Sequence, residues 1–318
     1  MSAGGHHDPR RLDGRISRLL AGVRWTHVSG PYQALDLRFG VRTSDPVLGS
    51  FLQTLFHPFR GQGQLDDVLW LSGLERQRPS NRASAYIGAH RLTVTTRRPL
   101  VLAALLWALN QEVVRSTKGC LLLHASAAER DGTVVVLPGP SGSGKTTLCA
   151  ALLRRGYRYI TDETVALDIA TGRVRPFPKA LSLDRGSWPL FADLAPQATD
   201  EHRHYIQEQW HLTSEQLGGA PPVGPEIGQP RIVLRPRYQD GATTIATAVR
   251  PAEAIQLLAE NSFNATDWGQ AGLDACAATV QGCTTLGRIT FGDLNEACDI
   301  IDHAVAQADA TAERRRIP

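Results

Sequence analysis

Apolar and polar residues alternate along 33–41, with Leu35, Leu37, Phe39 and Val41 on one face. A period of two marks a half-buried strand. Ser44, Asp45 and Pro46 then read as a helix start. Ser44 offers the capping oxygen, and Pro46 sits where a missing N–H costs nothing. Val47, Phe51, Leu52 and Leu55 form that helix's apolar face. Residues 68–71 and 86–96 read as further strands, and 99–117 as a helix. From Gly119 the order becomes strand, loop, helix, strand. Residues 121–129 and 133–137 are apolar strands. Residues 144–155 make a helix with Leu148, Leu152 and Leu153 on its apolar side, stopped at Gly156 by a left-handed cap. Residues 157–168 read as one strand, and 192–229 as a polar excursion or lid. A strand at 231–234, helices at 251–261 and 271–281, a strand at 286–291 and a helix at 293–306 complete the chain.

This alternation predicts an α/β protein with a division near residue 97. Residues 1–14 read as a disordered tail, 15–97 as a smaller α+β region, 98–311 as the main domain and 312–318 as a charged tail. No internal repeat is evident.

Composition narrows the class. The chain has 318 residues, 42% hydrophobic and 20% charged, which can bury a core without metals or disulfides. A net charge of +3 gives no reason to expect nucleic acid. The five cysteines are odd in number and none are spaced C-x-x-C, so free thiols are expected rather than zinc or disulfides. The apolar stretch 99–109 is about half the ~20 residues of a spanning helix. Residues 1–14 lack the apolar run of an export signal, so no membrane partner and a cytoplasmic location are expected.

Three groups of residues carry chemistry. Gly139, Pro140, Ser141, Gly142, Ser143, Gly144, Lys145 and Thr146 fit the pattern G-x-x-x-x-G-K-[ST], between a strand and a helix. Glycines let such a loop turn its N–H groups inward, and the helix aims its positive end at the same phosphates. Lys145 would reach the β and γ oxygens, and Thr146 would ligate magnesium. The pattern thus points to ATP and Mg2+. Asp162 and Glu163 stand side by side in an apolar strand, where charge is costly. Neighbours on a strand face opposite ways, so both reach one site only across a bend or bulge. One carboxylate would serve magnesium and the other an acceptor's proton. His124 lies in a third strand, where a lone histidine is more often a core residue.

These pieces, in this order, resemble the catalytic domain of HPr kinase/phosphorylase, and more closely the HPr-kinase-like serine kinases, some of which modify lasso peptides. The matching text is Leu-Leu-Leu-His124-Ala-Ser, the loop from Gly139 through Lys145, Thr146 and Thr147, and the stretch from Leu153 to Asp162 and Glu163. It continues through the stretch ending at Lys179, through Ser182 and Leu183, around Arg235 and Arg237, near Phe263, and after Phe291. The resemblance covers most of the chain from about Pro99 onward. It implies a phosphoenolpyruvate-carboxykinase-like P-loop domain with a mixed sheet. It implies Asp162 as the catalytic acid/base, Glu163 near magnesium, and His124 as electrostatic support for Asp162. It implies transfer of the γ-phosphoryl of ATP to a serine of a peptide or small protein, and it admits a homo-oligomer. Glu163 departs from the aspartate of HPr kinase proper. The glycine-rich signature of the phosphorylases is missing, and Asp184 and Arg185 follow Ser182-Leu183 where relatives often carry lysine. A small-molecule acceptor, an NTPase switch and an inactive nucleotide sensor stay open as alternatives.

Overall fold

The computed structural model describes residues 13–76, 81–220 and 224–316. Residues 1–12 of the expected N-terminal tail lie outside them, while Gly14 already opens a helix. The chain divides into two units, Met1–Thr117 with Asp184–Trp210, and Lys118–Leu183 with His211–Pro318.

In the first unit, α1 (Gly14–Ala21) starts at Asp13, whose carboxylate accepts from the N–H groups of Arg15 and Ile16. Strands β1 (His27–Ala34) and β2 (Leu37–Thr43) follow, then α2 (Pro46–Leu55), β3 (Leu69–Arg76), β4 (Arg82–Ile87), β5 (His90–Thr95) and α3 (Arg98–Ser116). The five strands form one sheet in chain order, antiparallel except for β2 beside β3. Two stretches expected as single strands are hairpins. Ala34 pairs with Leu37 around a turn at Leu35 (φ 50°), and Ile87 pairs with His90 around Gly88 (φ 53°). The cap of α2 is Asp45 rather than Ser44. Asp45 Oδ1 accepts from Val47 N at 2.9 Å, while Ser44 Oγ is engaged by the N–H of Glu75 at 2.8 Å.

The division expected near residue 97 falls at Thr117 instead. Helix α3 packs on β3, β4 and β5, burying Val101, Leu102, Leu105 and Leu109. The expected excursion is split: its part before His211 belongs to the first unit and the remainder to the second.

The second unit is built around β6 (Cys120–Arg130), an 11-residue strand buried along nearly its whole length. Then come β7 (Thr133–Pro138), α4 (Lys145–Arg154), β8 (Arg158–Thr161), β9 (Thr164–Asp168) and β10 (Val174–Arg175). Strands β11 (Leu181–Asp184) and β12 (Gln209–Leu212) pair with each other. The chain continues through β13 (Pro230–Tyr238), β14 (Ile245–Ala248), α5 (Pro251–Glu260), α6 (Ala265–Trp268), α7 (Gln270–Gly282), β15 (Thr285–Phe291) and α8 (Leu294–Arg316). The sheet order is β10-β9-β6-β7-β13-β15-β14, with β8 also on β6. Strands β7, β13 and β15 are parallel and the other pairings antiparallel, so both larger sheets are mixed and the fold class is α/β. Leu121, Leu123, Val136, Ile160, Val165 and Val233 lie in its core, together with Leu257 and Leu258 of α5 and Val280 of α7. The last helix runs to Arg316, so residues 312–316 are helical rather than a tail, and 317–318 lie outside the described residues. All five cysteines are free thiols. Among the described residues, no helix is long and apolar enough to cross a membrane.

Candidate functional site

Strand β6 brings the three sequence groups to one place. Its Ala125 pairs with Pro138, the residue before the glycine-rich loop. Its His124 pairs with Thr164, and its Ala127 with Thr161. Asp162 and Glu163 fall between those last two pairings, in a break that divides the expected single strand into β8 and β9. Thr161 holds the break: its Oγ1 accepts from the N–H groups of Glu163 at 3.3 Å and Thr164 at 3.4 Å. Ser126 of β6 donates its hydroxyl to the carbonyl of Asp162 at 3.3 Å. A break frees adjacent side chains from strict alternation, which is the condition for both acids to serve one site.

The loop Gly139, Pro140, Ser141, Gly142, Ser143, Gly144 connects β7 to α4. Gly142 (φ 77°) and Gly144 (φ 91°) hold left-handed conformations. A Cβ on Gly144 would stand 2.9 Å from the ring of Phe291 and 3.2 Å from Tyr238 Cβ, so no larger residue fits there. The loop is tied to β13 by Tyr238 N–H donating to Ser143 O at 3.0 Å. No side chain caps the N-terminus of α4. Ser143 Oγ is buried without a hydrogen-bond partner. Lys145 is buried and donates to the carbonyls of Gly139 (2.6 Å) and Pro140 (2.9 Å). Burial lowers its pKa, and the carboxylates of Glu163 and Asp162 act against that shift. Thr146 and Thr147 are half-buried in the first turn of α4. The helix ends at Gly156 (φ 88°) in the expected left-handed cap.

Asp162 is 4% exposed, and both its oxygens are held. Oδ1 lies 3.1 Å from Lys179 Nζ and 3.2 Å from Tyr159 Oη, and Oδ2 accepts from the N–H of Ser182 at 3.3 Å. The Glu163 side chain is 36% exposed, and its Oε2 lies 3.7 Å from the same ammonium. Burial raises the pKa of Glu163, and Lys179 acts against it. Burial acts to lower the pKa of Lys179, yet the two carboxylates outweigh it and hold the amine charged. Burial and the charge of Asp162 push the Tyr159 phenol well above its ordinary range, so it stays protonated and lies 2.7 Å from the carbonyl of Lys179. His124 is half-buried with its ring 5.6 Å from that of Phe263. Burial and then Lys145 lower its pKa, against Asp162, so the imidazole is neutral at pH 7.

Sequence reading assigned no role to Lys179, Tyr159, Ser182 or His211. Lys179 carries the one signal that was available: a lysine within the apolar run Phe177, Pro178, Ala180, Leu181 needs a buried partner. The Ser182 hydroxyl lies 3.1 Å from Nδ1 of buried His211. Arg235, half-buried on β13, has its Cγ 3.9 Å from where a Cβ on Gly139 would lie, while Arg237 is exposed.

The donor set suits a triphosphate with an oxygen-seeking cation. It joins an uncapped helix terminus and an ammonium to a threonine hydroxyl and an accessible carboxylate. No protein-family model matches this chain, and no curated protein matches it in sequence.

Proposed function

We propose that this protein is a kinase that transfers the γ-phosphoryl group of ATP to a hydroxyl, with a serine of a peptide or small protein as the acceptor. One observation supports the reading above the others. The break after β8 sets two carboxylates beside the glycine-rich loop, and both act electrostatically on Lys145. A nucleotide cradle alone would serve any P-loop protein. A buried carboxylate beside it, oriented by Lys179 and the Ser182 N–H, suits transfer to an acceptor.

In this reading the N–H groups of Gly142, Gly144 and the first turn of α4 bind the phosphates, with Lys145 against the β and γ oxygens. Thr146 and Glu163 hold Mg2+, which supplies charge neutralisation for the phosphates when bound. Asp162 takes the proton of the acceptor hydroxyl while its oxygen bonds to Pγ and the bond from Pγ to ADP breaks. His124 flanks Asp162 as a neutral ring. The family reading, a phosphoenolpyruvate-carboxykinase-like domain of the HPr-kinase-related type, rests on the motifs and their order. The mixed sheet is compatible with it.

The test is transfer of label from γ-labelled ATP with Mg2+ to serine peptides and to a cell extract, with Asp162→Asn beside the wild type. Label on a serine acceptor, reduced about 100-fold or more in the variant, is the expected result. Free phosphate with no labelled acceptor, released equally by the variant, would sink the role of Asp162 and favour an NTPase switch.

A further inference from the structure

We infer that Lys179 is a positioning residue that divides the labour of the two carboxylates, keeping Asp162 off the metal so that Glu163 alone ligates it. The inference rests on the kinase reading of this site and adds what enforces its two roles. A divalent cation is held by one or two carboxylates besides the phosphates, so two adjacent acids can both ligate it unless something keeps one away. Here a single ammonium lies 3.1 Å from Asp162 Oδ1 and 3.7 Å from Glu163 Oε2. The Asp162 oxygen that Lys179 leaves accepts from the N–H of Ser182, and the side chain is 2% exposed, so each oxygen is oriented by a donor and a metal approaching Asp162 meets the Lys179 ammonium. Glu163 keeps a third of its side chain exposed, and its Oε2 lies farther from the ammonium than Asp162 Oδ1 does. The ammonium is itself held in place. Its Nζ lies 3.4 Å from the carbonyl of Ala180, and the carbonyl of Lys179 accepts from Tyr159. A fixed cation between the two acids therefore stands where a second carboxylate–metal bond would form, and it repels a metal that approaches Asp162.

Mn2+ binding to the nucleotide-free full-length protein, followed by the electron paramagnetic resonance of free Mn2+, tests this without turnover. Lys179→Met should bind Mn2+ about tenfold more tightly than wild type, since a nearby positive charge is gone and Asp162 is released. Lys179→Arg keeps the charge and should stay near wild type. The double variant Lys179→Met with Asp162→Asn should lose the gain. A loss of packing alone would not tighten metal binding. In the wild-type background, which keeps Lys179, Glu163→Gln should weaken Mn2+ about tenfold while Asp162→Asn changes it about twofold at most. Equal or weaker Mn2+ binding by a folded Lys179→Met protein overturns the inference. Equal losses in Asp162→Asn and Glu163→Gln do so as well. Should wild type transfer no label while these affinities hold, the kinase reading falls and the division of the carboxylates stands. Label transfer with unmoved affinities means the reverse.

Discussion

At the residue scale, His211 offers a pH test of the buried layer behind Asp162. Burial and then the neighbouring Lys179 ammonium push its imidazole down to about 3. The unfolded chain takes a proton there near pH 6.5, while the folded protein refuses it until far lower. The unfolded state therefore binds more protons between these values, and stability falls as the pH falls. The loss is about 1.4 kcal/mol per pH unit across that window. Above pH 7 the group contributes no pH dependence. His211→Asn keeps an acceptor near Ser182 and removes the titration. Urea unfolding at pH 7 and pH 5 should show wild type losing about 2 kcal/mol more than the variant. Equal losses in the two proteins would mean that His211 accepts its proton in the fold. That would remove the case for a dry layer beside Lys179.

At the scale of elements, Asp45 carries two duties that one substitution removes. Its Oδ1 caps α2 through the N–H of Val47, and its Oδ2 accepts from the buried Tyr205 hydroxyl. Asp45→Ala should cost about 1 kcal/mol for the cap and about 1–3 kcal/mol for the orphaned phenol, read as a lower urea midpoint. Asp45→Asn keeps the cap and should recover part of the loss. An unchanged midpoint in Asp45→Ala would show that neither bond stabilises the unit. The helix itself was legible in its apolar face, but its cap was not. Ser44 and Asp45 are both good caps, and the choice is made by the Glu75 N–H, 31 residues away, which occupies the Ser44 hydroxyl. The hairpins at Leu35 and Gly88 were hidden for a different reason. Each turn has two residues between its closing pair, Ala34 with Leu37 and Ile87 with His90. Two residues shift the alternation by one, so Tyr32 and Ala34 are buried before the first turn and Leu37, Phe39 and Val41 after it; Leu35, in the turn itself, continues the odd-numbered apolar series and hides the shift. A further break lies at Asp162 and Glu163. There, 157–168 reads as one strand, and the adjacent acids set only the condition that a bend or bulge must bring both to one site; the structure breaks the strand at that point.

At the scale of the molecule, legibility follows sequence distance. The glycine-rich loop and α4 are contiguous and could be read directly. Lys179 and Ser182 reach Asp162, and His211 reaches Ser182, across 17 to 29 positions of chain, and no local pattern names those partners. The first unit is harder still, because it is discontinuous. Its second segment is fastened by the Phe51–His202 stack at 4.3 Å, by Tyr205 on Asp45, and by the ion pair of Arg97 with Glu208. This makes a prediction about excision. A protein spanning 118–318 carries Asp184–Trp210 without the rest of its unit, so buried Tyr205 loses Asp45 and His202 loses the Phe51 ring. It should aggregate or melt without cooperativity. Replacing 184–210 with a short glycine-serine linker removes that surface, and the pairing of β11 with β12 keeps the joined ends near one another. The linked protein should elute as a folded species with one cooperative melting transition. Should the unaltered 118–318 protein match it in both measurements, Asp184–Trp210 folds without the N-terminal sheet. The chain would then divide once, near Thr117, with the whole excursion in the second unit.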